Sequence, residues 1–360
     1  MCIKIGSASE LNISIKEVTS FYDCNWTRKI ALSNENFYQW QFISTPNNNN
    51  DDCCVAIDEN EIIAVMGLHE RPFHLNQKEY SGAELTTWIV HKDKRNLGLG
   101  PKMIDYLQSK YDVLFGMGIS KDALPVYLRK GFKYIKSIPR YIYPINYNSI
   151  ETFGHYTPLA KKLSKIRGRH EIYTIIKHTE NELNILNSVF SSNANFFNRS
   201  EQWINWRYEK HPSFNYIINV ISNNKGNKCV VVYRIDHLKD LTIMHCLDIY
   251  GEYNAFSSGI SYLEDTARNN NVDIIDFYST NSKVNSAFIH KNWFPTLDFD
   301  FIDFPHLFHP IEMRTPSTTS LILWFNDDCN LSYDFGKLYI TKQDCDFDRP
   351  VENNMNLVSH

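Results

Sequence analysis

The sequence predicts a mixed α/β (α+β) protein made of two similar domains. Three observations lead to this prediction. The chain has 360 residues, about twice the length of an average domain. A strand, a glycine turn and a helix follow one another in the first half, and the same order of strands and helices returns in the second half. The composition, 43% apolar and 22% charged, is that of a globular protein with enough apolar residues for a core.

The first half contains the clearest elements, read from hydrophobic periodicity. In chain order they are aromatic helical structure over 21–43, a hairpin of strands 53–58 and 62–68 turning at 59–60, a central strand 83–90, a helix with its apolar face at Met103, Ile104, Leu107 and Tyr111, a strand 113–119 and a short helix 122–130.

A glycine turn joins the central strand to the following helix. In Gly98-Leu99-Gly100, consecutive backbone N–H groups can converge because glycine tolerates positive φ. Pro101 fits the first turn of a helix, where no backbone N–H is needed. The free N–H groups and the positive end of the helix dipole predict a site for an anion such as a pyrophosphate, with Arg95 and Lys102 nearby.

Two common phosphate-binding motifs do not fit this turn. A dinucleotide fingerprint needs a third glycine and a distal acidic residue, and a P-loop ends in Gly-Lys-Ser/Thr. The pattern that remains, Arg95-x-x-Gly98-x-Gly100 between a strand and a helix, resembles the acyl-CoA pyrophosphate loop of the GNAT acetyltransferases. Downstream, Ala123-x-x-x-Tyr127-x-x-x-Gly131-Phe132 resembles a helix segment of the same family. The resemblance covers residues of roughly 35 to 145.

The resemblance implies a fold and a cofactor site. It implies two GNAT-like domains, each with a mixed, mostly antiparallel central sheet flanked by helices, and a splayed strand pair for acyl-CoA in the first. Acetyl-CoA would be the co-substrate, with no metal. The residues implied in its binding are the strand backbone at Trp88, Ile89 and Val90 and the loop residues Arg95, Asn96, Leu97, Gly98, Leu99, Gly100 and Lys102.

Two side chains are the candidate catalytic residues. Amine acetylation needs a group that accepts the proton of the amine. Glu84 lies eleven positions before Arg95, the spacing at which the histone-type members carry their base; the alternative is a strand-edge glutamate facing solvent. Tyr127, four residues before Gly131, has the spacing of a tyrosine that serves the leaving CoA thiolate, with a core tyrosine as the alternative.

Three further titratable residues lie near this part of the sequence. They are considered as substitutes for the base, although a structural or surface role is the preferred interpretation of each: His69, Glu70 and His91.

The second half repeats the first in a degenerate form. Its predicted elements are helices over 182–190, 196–208, 257–268 and 284–291 and strands over 217–221, 229–234, 241–249 and 273–278. The loop after its long strand, 251–259, has no arginine and no Gly-x-Gly. Aligning Lys130-Gly131-Phe132 with Lys291-Asn292-Trp293 places Phe288 opposite Tyr127, so the phenol is lost.

The predicted domains are therefore a catalytic acyl-CoA domain over 1–150, a basic helical linker over 151–170 and a degenerate domain over 171–360. The role assigned to the last is structural or in shaping the acceptor pocket. It ends in an Asp-rich tail, 339–350, interpreted as a structural or pocket-rim segment that resembles the closing segment of two-domain bacterial GNAT proteins.

Composition narrows the possible partners. The net charge of −4 argues against a general nucleic-acid binder. No apolar run is long enough for a signal peptide or a membrane span, so a cytoplasmic protein is expected. Eight cysteines without a Cys-x-x-Cys pair predict reduced thiols and no zinc site.

The sequence thus predicts an N-acetyltransferase that moves an acetyl group from acetyl-CoA to a primary amine by direct transfer in a ternary complex. By resemblance, the acceptor is an amino sugar, nucleotide-linked, for bacterial surface polysaccharide, and the enzyme a monomer or homodimer. The alternatives are a protein or peptide amine as acceptor, an aminoacyl-tRNA-dependent transferase, and a non-catalytic CoA-binding module.

Overall fold

The computed structural model describes residues 3–47, 53–163, 165–238, 240–296, 302–303, 318–329, 335–346 and 349–350. Its strands are β1 (Lys4–Ser7), β2 (Cys53–Asp58), β3 (Glu61–Glu70), β4 (Phe73–Leu75), β5 (Lys78–Tyr80), β6 (Gly82–Val90), β7 (Val113–Met117), β8 (Lys133–Ile135), β9 (Arg140–Pro144), β10 (His155–Tyr156), β11 (Tyr173–Ile176), β12 (Asn195–Phe197), β13 (Ile217–Asn223), β14 (Lys228–Leu238), β15 (Leu241–Gly251), β16 (Ile274–Tyr278), β17 (Phe294–Pro295), β18 (Ile302–Asp303), β19 (Leu321–Phe325) and β20 (Leu338–Tyr339).

The α-helices are α1 (Ile15–Asn25), α2 (Glu35–Tyr38), α3 (Leu99–Lys110), α4 (Leu124–Arg129), α5 (Tyr147–Phe153), α6 (Pro158–Leu163), α7 (Glu180–Ser191), α8 (Glu201–Ile204), α9 (Phe256–Asn269) and α10 (Ser282–His290). Local sequence explains several boundaries. Ser14 and Glu17 form a capping box at the start of α1. The hairpin β2–β3 turns at Glu59 and Asn60, both at positive φ, as predicted.

The two large sheets have matching topologies. The first runs β1-β2-β3-β6-β7-β19-β8, and the second runs β11-β13-β14-β15-β16-β9-β17. In both, the fourth and fifth strands are parallel and every other pair of neighbours is antiparallel. These mixed sheets flanked by helices confirm the predicted α/β (α+β) class.

Each large sheet contains one strand from the other half of the chain. Strand β9 lies between β16 and β17 of the second sheet, and β19 lies between β7 and β8 of the first. The exchange is reciprocal, so each half completes the sheet of the other. Each of the two strands pairs with strands on the other side of the predicted linker, 151–170. Neither sheet is therefore complete within one predicted domain.

Two aromatic segments form a pseudo-symmetric contact between the halves. Residues 34–42 and 200–208 each start with a capping position and a glutamate, continue as one α-helical turn and pass into a π-helical turn, which spans Gln39–Ile43 in the first and Asn205–Glu209 in the second. Trp40 and Trp206 stack at 5.3 Å between ring centroids. Each indole N–H donates to the backbone carbonyl of the other tryptophan, at 3.3 and 2.9 Å. This contact extends the repeat beyond the segments that the sequence analysis aligned.

Two predicted helices are wrong in part. The basic linker, 151–170, is helical only at the end of α5 and over α6, and residues 165–170 have no helix. In this last part Gly168 lies against the Lys291 backbone, where a Cβ would stand 2.6 Å from the Lys291 Cα. The predicted helix 196–208 begins only at Glu201. Residues 195–197 form β12, which pairs with β4 and β20. Tertiary pairing here overrides the helical periodicity of the aromatic residues.

Apolar side chains form cores on both faces of the two sheets. None of the described helices has the length and hydropathy required to cross a bilayer. None of the seven described cysteines forms a disulfide. The described residues contain no group of three or more His, Cys, Asp or Glu side chains arranged to hold a metal ion.

Candidate active site

Strands β6 and β7 separate along their length and open a gap in the first sheet. They pair in parallel from Gly82 with Val113 to Glu84 with Phe115, and the ladder goes no further between these described strands. On its other edge, β6 has a β-bulge, because Gly67 pairs with Thr86 while Val65 pairs with Ile89. The φ of Thr87 is +46°. A bulge frees backbone groups from the ladder, and this one lies beside the gap.

The start of α3 forms a concave loop after β6. Gly98 has φ +64° and occupies the N-cap position without a side-chain cap, and a Cβ there would meet no atom within 4 Å. The first N–H groups of a helix have no acceptor within it, so those around Gly100 are available to an anion. Arg95 and Lys102 are exposed beside this loop, and Arg95 Nε donates to the carbonyl of Val90 at 3.5 Å. This loop can therefore accept an anion, which is what the sequence analysis expects of it.

The other predicted loop residues divide between the surface and the core. Asn96 is exposed, while Leu97 packs partly buried against the core and Leu99 is fully buried within it. Ile89 and Val90 pack on opposite faces of the first sheet. These residues can therefore offer an acyl-CoA their backbone, as the sequence analysis expects, rather than their side chains.

Trp88 contributes a side chain as well as its backbone. Its indole lies so close to Gly100 that a Cβ on that glycine would stand 2.8 Å from the ring. It also contacts Tyr127 edge to face, at 5.5 Å between ring centroids. The indole N–H is buried and has no hydrogen-bond partner among the described residues. A buried donor of this kind favours a ligand with an acceptor group, and the amide and phosphate oxygens of CoA fit it.

Tyr127 lies in α4, buried between Trp88 and Phe132. No hydrogen bond from its hydroxyl to a described residue is present. Burial raises the pKa of Tyr127 well above its usual value. A phenol that stays protonated can donate a hydrogen bond to a thiolate, whereas full transfer of its proton is unfavourable.

Glu84 forms a buried pair with His69 across β3 and β6. The carboxylate is 1% exposed, so the alternative of a solvent-facing glutamate is wrong. Glu84 Oε2 lies 2.7 Å from His69 Nδ1, and Glu84 Oε1 accepts the backbone N–H of Asp346 at 3.2 Å. Burial raises the pKa of Glu84, and burial together with nearby arginines lowers the pKa of His69. Both pKa shifts disfavour the charged form of the group concerned.

The atom of this pair that is available to a substrate lies on the histidine. His69 Nε2 is buried and has no hydrogen-bond partner among the described residues, whereas both Glu84 oxygens are engaged. When Glu84 is ionised and accepts Nδ1–H, Nε2 carries a lone pair. The other two substitutes lie elsewhere: His91 accepts the Asp93 backbone N–H at 3.3 Å, and Glu70 accepts the Tyr111 hydroxyl at 3.5 Å.

The C-terminal tail, interpreted from the sequence as a structural or pocket-rim segment, lies beside Glu84. Asp346 Oδ2 accepts the hydroxyl of Thr87 at 3.2 Å and forms an ion pair with Arg349. Arg349 also donates to Gln41 and to Thr86, at 3.2 and 3.4 Å. The predicted tail 339–350 thus contacts the bulge of β6, except that residues 347 and 348 lie outside the described residues. The only signal for this in the sequence is the cluster of charges near the C-terminus.

The second sheet has the corresponding gap, but the tail fills it. Strands β15 and β16 pair from Ile243 to Cys246, and the register of β15 shifts just after Cys246. There Tyr339 accepts the backbone N–H of Ile249 at 3.1 Å, and its hydroxyl lies 2.7 Å from Asp248 Oδ1. A tyrosine of the same chain therefore occupies the place beside the bulge that the first sheet leaves open.

The local geometry around Phe288 matches that around Tyr127. Phe132 contacts Tyr127 at 5.1 Å, and Trp293 contacts Phe288 at 4.9 Å, both edge to face. Gly131 precedes Phe132 and Asn292 precedes Trp293, and both have positive φ, +82° and +60°. The alignment made from the sequence therefore has a structural counterpart, with a phenyl ring in place of the phenol.

Comparisons with known proteins agree with this geometry. Residues 16–132 match the family model described as Acetyltransferase (GNAT) family. The sequence matches none of the curated proteins with which it was compared.

Three solved structures have a similar fold. A GCN5-related N-acetyltransferase from Anabaena variabilis has a TM-score of 0.55 and 11% identity, over 90% of this chain and 72% of that chain. A probable N-acyltransferase from Enterococcus faecalis has a TM-score of 0.53 and 11% identity, over 90% and 72%. The N-myristoyltransferase of Saccharomyces cerevisiae with bound myristoyl-CoA has a TM-score of 0.51 and 11% identity, over 89% and 82%. At this identity the likeness shows the fold alone.

Proposed function

We propose that this acyltransferase, whose residues 16–132 form a GNAT acetyltransferase domain, transfers an acetyl group from acetyl-CoA to the primary amine of a small acceptor. The observation that carries the proposal is the asymmetry of two matching gaps. The gap beside β6 is followed by a glycine-led helix start, whereas the gap beside β15 is filled by Tyr339. We therefore assign one acyl-CoA site per chain, in the first gap.

Binding of acetyl-CoA involves the loop and the bulge. The backbone N–H groups from Gly98 to Gly100, with Arg95 and Lys102, bind the pyrophosphate. The backbone of residues 88–90 holds the thioester, and a hydrogen bond to the thioester oxygen stabilises the negative charge that develops there.

The transfer is direct. The amine nitrogen of the acceptor bonds to the thioester carbon, and the pair of Glu84 and His69 accepts the proton that the nitrogen loses. The contacts favour His69 Nε2 as the accepting atom, with Glu84 as the group that orients the ring, because both Glu84 oxygens are already hydrogen-bonded. The carbon–sulfur bond then breaks, and the Tyr127 hydroxyl donates a hydrogen bond to the CoA thiolate, which takes up a proton from water.

The acceptor that we favour is an amino sugar, nucleotide-linked, as used for bacterial surface polysaccharide. This choice rests on the resemblance of the two-domain arrangement. The proposed enzyme is cytoplasmic and a monomer or homodimer. The predicted domains, 1–150 catalytic and 171–360 supporting, remain part of the proposal, with β9 and β19 exchanged between them.

A peptide amine is a second candidate acceptor. One observation favours it, a surface cavity of about 390 Å³ between α7 and α8. Its lining includes Glu180, Glu201 and Glu209, which would suit a basic peptide. The aminoacyl-tRNA-dependent transferases generally lack a CoA pyrophosphate loop, so the intact loop counts against that alternative.

The test is an acceptor screen with acetyl-CoA, in which released CoA thiol and acetylated product are both measured. The panel contains free and nucleotide-linked amino sugars, basic peptides, and simple amines. Turnover of an amino sugar supports the proposal, and turnover of peptides alone supports the second candidate. Tight CoA binding without turnover of any amine would favour a non-catalytic CoA-binding module.

A further inference from the structure

Arg71 is a buried cation at the end of β3, close to the Glu84–His69 pair. Its side chain is 4% exposed. One N–H of the guanidinium donates to Asp344 at 3.1 Å, and the group lies over the rings of Phe197 and Trp203 at 5.3 and 5.7 Å. The N–H groups on Nε and Nη1 are buried and have no hydrogen-bond partner among the described residues.

Other buried polar atoms without a partner lie around the same place. Among the described residues, these atoms are Nε2 of Gln41, Nε2 of His69, and both the oxygen and the nitrogen of the Gln343 side-chain amide. Gln41 is tied to Arg349 by a 3.2 Å hydrogen bond, and Gln343 precedes Asp344, the partner of Arg71. A buried donor without a partner destabilises the protein, and a charged one does so more strongly. Several together indicate a site that a polar ligand completes.

Charged side chains are concentrated around Arg71. Four arginines and three aspartates lie in one network at the junction of the two sheets and the tail: Arg71, Arg199, Arg207, Arg349, Asp248, Asp344 and Asp346. The ionised Glu84 that the proposed base requires adds a fourth carboxylate through its hydrogen bond to the Asp346 N–H. The charges of the network are then balanced, and it is the buried N–H groups of Arg71 without a partner among the described residues that indicate an anionic ligand.

We infer that the amine acceptor carries an anionic oxygen group, a carboxylate or a phosphate, and that Arg71 binds this group beside the Glu84–His69 pair. The inference rests on the proposed transferase function and narrows its substrate class. The anion accepts from Arg71 Nε and Nη1, and the amine lies next to His69. An acceptor without an anion leaves these donors unpaired and binds weakly.

Two series of matched amines test the inference. One contains glucosamine, glucosamine 6-phosphate and muramic acid, and the other ethanolamine, O-phosphoethanolamine and β-alanine. Acetylation rates are measured with acetyl-CoA, and binding to the enzyme–CoA complex is measured by calorimetry. In at least one series, an anionic member should exceed the neutral one in kcat/KM by tenfold or more. The phosphate and carboxylate members distinguish the two anions.

Two buried arginines provide the variant and its matched control. Arg71→Lys keeps the cation beside Asp344 but removes Nε and Nη1, and it should reduce the preference for the anionic amine at least tenfold. Arg199 also binds Asp344, but its N–H groups go to Asp248, Asp344 and the Phe197 carbonyl. Arg199→Lys should alter stability and leave the preference unchanged.

The outcomes separate this inference from the proposed function. Turnover without a preference for anionic amines, or equal effects of the two variants on the preference, would overturn the inference and leave the transferase. Binding of anionic amines that depends on Arg71, without acetylation, would support the inference and overturn the transferase. If the CoA complex neither binds nor acetylates any member of the panel, both are rejected.

Discussion

Replacement of Glu84 by glutamine tests how the proton leaves the acceptor amine. Glutamine keeps the size of the side chain and can still accept the Asp346 N–H, and its amide can donate to His69 Nδ1. That bond fixes the imidazole with its proton on Nε2, so the histidine can no longer accept a proton there. The fold should be kept, with a change in the free energy of unfolding of about 1 kcal/mol or less.

The expected kinetic loss follows from the value of a positioned base. General base catalysis contributes about 10² to 10⁴ in rate, so Glu84→Gln should lower kcat by that factor, or about 2.7 to 5.4 kcal/mol of transition-state free energy. Affinity for acetyl-CoA should change less than twofold, because the loop at Gly98 is untouched. The assay follows thiol release at saturating acetyl-CoA and the best acceptor of the screen.

The matched variant His69→Gln distinguishes the two members of the pair. If His69 Nε2 accepts the proton, both variants and the double variant should lose a similar factor, since the residues act as one unit. If Glu84 accepts it directly, His69→Gln should cost less than tenfold. A Glu84→Gln enzyme with kcat within threefold of the wild-type value would refute the assignment of the pair.

Three further variants or conditions test the remaining site and the junction of the two halves. Tyr127→Phe should lower kcat about 10- to 100-fold with unchanged CoA affinity, because a hydrogen bond to the thiolate is lost; a wild-type kcat would remove the tyrosine from the mechanism. Asp276→Asn leaves Arg140 and Lys342, which it pairs at 3.1 and 3.0 Å, buried without their carboxylate. Urea unfolding should show a loss of about 3 to 5 kcal/mol, and a loss below about 1 kcal/mol would contradict this reading. Burial and Lys342 lower the pKa of His245, so as the pH falls through about 6.5 the unfolded state takes up this proton more readily than the folded state. The free energy of unfolding should therefore fall on acidification, with His245 contributing at most about 1.4 kcal/mol per pH unit, and a rise would contradict it.

Local signals in the sequence were enough for part of the first sheet and for the loop that follows β6. The apolar runs predicted β2, β3 and β6, the glycine turn predicted the start of α3, and Gly131 predicted the end of α4. Each of these depends on residues close in the chain. The resemblance to the GNAT family, carried by Arg95 to Gly100 and by Tyr127 to Phe132, is consistent with the match of residues 16–132.

Long-range features could not be read in the same way. The exchange of β9 and β19 depends on which of the two sheets has a free edge. The apolar pattern of each strand is the same whichever sheet it joins, so the pattern alone cannot predict the exchange. The pairing of Asp346 with Thr87 joins residues 259 positions apart. The repeat of residues 34–42 in 200–208 has a local signature in the sequence, a tryptophan three residues after an aromatic residue. The short strand β12 was not predicted, because the periodicity of 196–208 favours a helix.

Titration of the full chain with acetyl-CoA in a calorimeter, with the stoichiometry fitted, tests most directly the assignment of one acyl-CoA site to the first gap. One site per chain is expected. Gly98→Asp, which places a carboxylate in the open space at φ +64°, should lower the affinity at least tenfold, while the neutral control Gly98→Asn, of the same size and equally tolerant of this φ, should lower it much less. Two sites per chain, or equal affinities for the two variants, would contradict the assignment of one site to the first gap.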